Sequence, residues 1–302
     1  MNAHFLIVCP WLFAASSVTA QILLTNYPVA DTFVRSMDPT HNYGGAGALS
    51  VSGPIATNIL GKQEGLLDSF MRFDVSGVVS NFNGIYGAGR WGISGVILNV
   101  TEQTDVNNTV FNGGVGPFDV RWIATNTWLE GTGKPNNPTT DGIAWNDESS
   151  LLNSNRDKLL GTFFNGGTNG VVRLSLGMSS SFVSNFPTGS LVSLYLTATT
   201  NSTVGFTFHS RNFVDPTQFP FLEITAVPIP QIMSLVVTGP DVKISFTTTN
   251  GVSYTVEYNN DLVAGSWNTV TNNITGTGAI VTIIDSGAAE LFRRFYRVGA
   301  GG

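Results

Sequence analysis

Trp122, Trp128 and Trp145 are large flat rings set among small polar residues, with the planar hydrogen-bonding side chains Arg121, His209 and Arg211 elsewhere in the sequence. Aromatic rings stack on apolar ligand faces, and guanidinium groups grip carboxylates through charge-assisted bonds. Together these side chains have the chemistry to hold a sugar ring, with Arg211 and Arg121 meeting a uronate carboxylate. Trp122 and Trp128 are six residues apart, so an unbroken strand would put both on one face. Trp122 is expected in the core. Trp128 and Trp145, flanked by polar residues, suit either a core or an exposed platform. His209 and Arg211 share parity on a strand whose other side carries Phe206 and Phe208, so both are expected to face outward. Asp31 and Asp74 are candidate oxygen ligands for a structural Ca²⁺, or else partners for Arg72.

The recurring motifs of catalysis are missing. Cys9 is the one cysteine, and His41 and His209 stand far apart in no metal-ligand spacing. There is no HExxH, no GxSxG elbow, no P-loop and no dinucleotide fingerprint. Asp119, Glu130, Asp141, Asp147 and Glu148 could supply a glycosidase pair, whose carboxyl groups lie about 5 to 9 Å apart. They read more simply as solvated loop carboxylates, so the chain is expected to be no enzyme.

The elements that must carry these residues are strands. In 171–176, 191–198 and 204–209 apolar residues alternate with polar ones at period two, as in strands with one buried face. From 191 the apolar set is Val192, Leu194, Leu196 and Ala198, opposed by Ser193, Tyr195 and Thr197. Asn- and Gly-rich punctuation separates the runs. One short helix is expected within 147–160. Two prolines in Ala226-Val227-Pro228-Ile229-Pro230 mark an extended connector. Beyond it, strands are expected at 232–237, 242–247, 252–258, 267–270, 279–284 and 292–298. The fold expected is all-β, a jelly-roll β-sandwich over 21–227 followed by a small fibronectin-III- or immunoglobulin-like β-sandwich over 231–299.

Residues 1–20 read as a signal peptide: an apolar run over 5–15 leads into Ser16-Ser17-Val18-Thr19-Ala20. Its removal takes away Cys9, so the mature chain must be held by packing. The formal charge is −6 and only 11% of residues are charged, against about 25% in an average protein. That balance speaks against nucleic-acid binding, and no later apolar run reaches the length of a membrane span. The protein is expected to be secreted.

Several blocks carry a resemblance. Ala30-Asp31-Thr32-Phe33-Val34, Asn42-Tyr43-Gly44 and Leu49-Ser50-Val51 resemble the opening of the DNRLRE domain family, also classed as carbohydrate-binding module family 96. Phe70-Met71-Arg72-Phe73-Asp74-Val75-Ser76 is similar to its second block. Trp128-Leu129-Glu130 with Gly142-Ile143-Ala144-Trp145-Asn146 is similar to its paired-tryptophan block. Phe208-His209-Ser210-Arg211 and Pro220-Phe221-Leu222-Glu223-Ile224 resemble its last strands. The string that names the family is absent, and Asn212 stands where an acidic residue often follows the arginine. The resemblance implies a jelly roll that binds an extracellular polysaccharide, with alginate-like glycans among the ligands of relatives. The C-terminal part is similar to modules of secreted bacterial proteins that close on Arg-Phe-Tyr-Arg-Val, here 294–298. The function expected is non-catalytic polysaccharide binding. The alternatives are a structural or adhesive surface protein, or a polysaccharide lyase or hydrolase.

Overall fold

A computed structural model describes residues 21–58, 60–102, 114–167, 170–263 and 266–300. The expected signal peptide and Cys9 lie outside the described residues. Contacts divide the chain into two compact units, one built from Leu23–Ser80 and Ile93–Thr225, the other including Asn81–Gly92 and Ala226–Gly302.

The strands of the N-terminal part are β1 (Ile22–Asn26), β2 (Pro28–Arg35), β3 (Ala48–Ser52), β4 (Leu67–Asp74), β5 (Trp91–Glu102), β6 (Gly116–Ile123), β7 (Lys158–Asn165), β8 (Gly170–Ser175), β9 (Leu191–Ala198), β10 (Gly205–His209) and β11 (Phe221–Pro228). They form one 11-stranded sheet in the order β1-β11-β5-β10-β3-β4-β9-β6-β7, with β2 added to β4 and β8 to β5. The sheet folds over on itself. In that path β10 and β6 are four strands apart, about 19 Å on a flat sheet at normal strand spacing. Yet the rings of Phe118 on β6 and Phe206 on β10 lie 5.1 Å apart. Leu49, Val51, Met71, Phe73, Val120, Leu194, Leu196, Phe206 and Phe208 fill the interior and are buried. The period-two alternation read from the sequence is what gives each strand this inward set.

Among the described residues, three α-helices interrupt the strands: α1 (Ser76–Tyr86), α2 (Glu148–Leu151) and α3 (Ser180–Val183). The short helix expected within 147–160 is α2, one turn long. The sequence reading missed α1, although Val78, Val79, Phe82 and Tyr86 recur at helical spacing on its buried side. Phe82 packs on Trp91 at 5.0 Å.

The C-terminal unit is an antiparallel sandwich. Its strands are β12 (Ile232–Thr238), β13 (Asp241–Thr247), β14 (Ser253–Asn259), β15 (Asn268–Thr275), β16 (Ile280–Asp285) and β17 (Phe295–Ala300). One sheet runs β12-β13-β16 and the other β15-β14-β17. Val242, Ile244 and Phe246 of the first pack against Tyr254, Val256, Tyr296 and Val298 of the second. The Arg-Phe-Tyr-Arg-Val block ties the two sheets. Arg294 Nη1 lies 2.7 Å from Asp285 Oδ2 on β16, and Tyr296 Oη donates to the same oxygen at 2.9 Å. The Arg294 guanidinium also sits over the Tyr258 ring at 3.8 Å.

Candidate functional site

The larger unit presents a sheet face whose side chains point away from the sandwich interior. Antiparallel register aligns Thr197 of β9, Asp119 of β6 and Thr162 of β7 in one rung. The next rung carries Tyr195 and Arg121, and Pro117 stands opposite Phe164 on the other side. Because the pleat alternates, this polar row is the obligatory reverse of the buried set Phe118, Val120, Trp122, Leu194 and Leu196. Phe164 is 67% exposed and Leu159, opposite Arg121, is exposed too. Asp119 accepts from Thr162 Oγ1 at 2.6 Å and from Arg121 Nη2 at 3.3 Å. The result is a flat apolar ring beside a row of fixed hydroxyl, carboxylate and guanidinium groups.

Toward β4 the same face is covered by the excursion between β6 and β7. Ile143 and Leu151 of that excursion pack with Trp128 onto Ala30, Val34, Phe70 and Tyr195. Asp157 closes the base of the excursion, accepting from Ala124 N at 3.0 Å and Asn153 N at 2.6 Å. Asn42, fully buried, secures the middle. Its Nδ2 donates to the carbonyls of Glu130 at 2.6 Å and Ile143 at 2.9 Å, and its Oδ1 accepts from Gly44 N at 2.9 Å. The chains approach so closely that a Cβ at Gly133 would stand 1.7 Å from the Asn42 carbonyl oxygen, and one at Gly44 would stand 2.2 Å from that of Glu130. The Asn42-Tyr43-Gly44 block therefore has a structural role here. Asn42→Ala strands two buried carbonyls and should cost about 2 kcal/mol. Urea unfolding with hydrogen exchange read over 128–147 checks this, and unchanged protection there would refute it.

At the margin of the cover lies an acid pair, Asp68 buried and Glu148 half-buried. Tyr195 Oη is 2.8 Å from Asp68 Oδ2 and 2.5 Å from Glu148 Oε1. One phenol carries one hydrogen and cannot donate to both carboxylates, so the set needs a shared carboxyl proton. Burial, then the charge of Glu148, pushes Asp68 up to about 8, and burial raises Glu148 as well. This is proton-sharing chemistry, but Tyr195 and Asp68 are buried beneath the cover, out of reach of a polymeric substrate.

The residues singled out from the sequence fare differently. Trp128 is 2% exposed, donates from Nε1 to Ser193 Oγ at 3.1 Å and lies under the Arg72 guanidinium. It is core, and the platform reading of Trp128 is corrected. The even spacing from Trp122 failed because β6 ends at Ile123: Trp122 points into the sandwich, and Trp128 packs beneath the excursion. Trp145 is half-buried against the same cluster. Arg121 stays on the open face, paired with Asp119.

His209 is 6% exposed and stacked on Phe213 at 3.6 Å, which corrects its outward assignment. Every residue of β10 is buried, so alternation there does not separate a wet face from a dry one. Burial lowers the His209 pKa below its ordinary value. Arg211 gives its backbone N–H to Asp31 Oδ2 at 2.7 Å and its guanidinium to Glu130 Oε2 at 2.7 Å. Arg72 reaches the carbonyls of Asn126 and Trp128 rather than an aspartate.

Asp31 and Asp74 do not meet. Asp31 is fully buried and paired in register with Met71, and burial pushes it up to about 8. Asp74 ends β4, exposed, accepting from Ser76 N at 2.9 Å. Among the described residues, no group of three or more His, Cys, Asp or Glu is arranged to hold a metal ion. Of the loop carboxylates, Glu130 is tied to Arg211 and Asp147 accepts from Ala144 N at 2.9 Å. Bonds from Thr139 and Thr132 hold Asp141 down to about 2. The sequence reading missed Phe164, Thr162 and Asp68. The adjacent pair Phe163-Phe164 was the available signal, since two neighbours on one strand must take opposite faces.

Among the described residues, no helix is long and apolar enough to cross a membrane. No family model matches the chain, and no curated protein matches it. Among solved structures it is similar to a β-1,2-glucanase from Parabacteroides distasonis, at 11% identity and a TM-score of 0.21, over 92% of this chain and 34% of that one. It is also similar to a β-D-glucuronidase from Dictyoglomus thermophilum, at 9% identity and a TM-score of 0.24, over 96% of this chain and 45% of that one. The chain thus spans about a third of the first protein and under half of the second.

Proposed function

We propose that the larger unit is a polysaccharide-binding module of the DNRLRE type, in a secreted protein, holding its glycan without cleaving it. One observation carries this reading: the exposed Phe164 ring stands on the same sheet face as the Thr197–Asp119–Thr162 rung and Arg121. A sugar offers an apolar C–H face and a rim of hydroxyls, and such a face matches both. The motif blocks support the class, with Asn42 and Glu130 serving to hold the cover that borders the site. The binding face moves from the tryptophans to β9, β6 and β7.

Phe164→Ala tests the reading. Its ring is exposed, so the melting temperature should not change. Stacking contributes on the order of 1 kcal/mol beyond area burial, and with the apolar area lost as well affinity for a glycan found on an array should fall about tenfold. If the variant binds as tightly as the wild type, the face is wrong.

A further inference from the structure

We infer that this face selects an uncharged glycan and rejects uronate polymers; the inference rests on the glycan-binding reading of the same face. Among the described residues, register puts Arg121 on the open rungs, and Asp119 balances its charge at 3.3 Å. Arg211, the other arginine suited to a uronate, is spent on Glu130. A uronate carboxylate reaching Arg121 would have to share one guanidinium with Asp119, placing two like charges on one cation. The chain's net charge of −6 adds to that opposition.

A neutral sugar meets no such barrier. A carboxylate has about four acceptor positions and a guanidinium five donors. Asp119 uses one oxygen for Thr162 and one for Arg121, so both groups keep free capacity. Hydroxyls, which donate and accept, can serve the two at once. The rung from Thr197 to Thr162 crosses three strands, about 10 Å, and gives this polar strip a fixed direction beside Phe164. Neutral hydroxyl contacts do not depend on ionic strength, whereas exposed charge pairs are screened by salt.

The experiment titrates the whole chain with neutral gluco-, manno- and xylo-oligosaccharides and with oligogalacturonate and oligoalginate, each at low and high salt. Expected is binding of a neutral oligosaccharide, unchanged by salt and about tenfold weaker in Phe164→Ala, with no uronate binding. Asp119→Asn should uncover Arg121 and create salt-sensitive uronate binding that the wild type lacks. Wild-type uronate binding lost in Phe164→Ala would overturn the inference while leaving the glycan face intact. An Asp119→Asn variant that gains no uronate affinity would also overturn it, since Arg121 would not be the discriminating group. Binding of none of these glycans would sink the glycan reading and the inference together.

Discussion

Arg294→Ala should destabilise the C-terminal sandwich by about 3 to 5 kcal/mol, the usual cost of leaving one partner of a buried ion pair alone. Both side chains of the Arg294–Asp285 pair are only 10% exposed, so water cannot replace the lost partner. Asp285 joins the β12-β13-β16 sheet to β17 through Arg294 and through the Tyr296 hydroxyl. Tyr296→Phe removes a single bond to a charged acceptor and should cost less, about 2 kcal/mol. The arginine also covers the Tyr258 ring, so part of its loss is packing. The decisive measurement is a double-mutant cycle with Asp285→Ala, following urea unfolding by hydrogen exchange over 232–300. The double variant should lose far less than the two single losses added together. Additive losses would show that the two residues do not act as a pair.

The strand content was legible because the physics is local: period two decides which residues share a face, and turn residues decide where strands stop. That is why the inward set of 191–198 was legible, although Ser193 and Tyr195 on its other side are buried as well. Alternation does not say what lies on the second face. Tyr195 has the excursion over it and Thr197 lies nearer the open side, a difference set by residues 124–157 and invisible within β9. His209 was misjudged for the same reason, since Phe213, from a later turn, stacks on it.

The candidate site was legible only in fragments. Asp119, Arg121 and Glu148 were noticed for their chemistry, but their partners come from distant strands. Thr162 is 43 residues from Asp119, and Tyr195 is 47 from Glu148. Asp68 sits in Leu67-Asp68-Ser69-Phe70 with nothing local to mark it as buried. Only the central position of β4, with β2 and β9 on its flanks, takes it out of water.

That burial sets the remaining prediction: the larger unit should lose stability as pH rises from about 4 to about 8, and Asp68→Asn should remove much of the loss. A carboxyl whose native pKa lies above its unfolded value binds more protons when folded across the window between the two. Unfolding free energy therefore falls with rising pH in that window and is level outside it. Asp68 runs from 3.8 to about 8. Glu148 of α2 is raised in the same sense, and the two titrate as a pair through Tyr195. Thr197 and Tyr195 face Asp68 with hydroxyls, and the charge of Glu148 opposes its ionisation. A shift of this size is worth a few kcal/mol. Asparagine keeps the shape of the protonated acid and cannot ionise, so the variant should match the wild type below about pH 4, pull ahead of it as pH rises, and exceed it by the full amount above about pH 8. Asp31, raised to about 8, and Glu102, raised to about 7, keep a residual slope in the variant. Urea midpoints of both proteins across that range decide the matter. Parallel curves for the two would mean that Asp68 ionises freely in the native state and that the shared proton is not there.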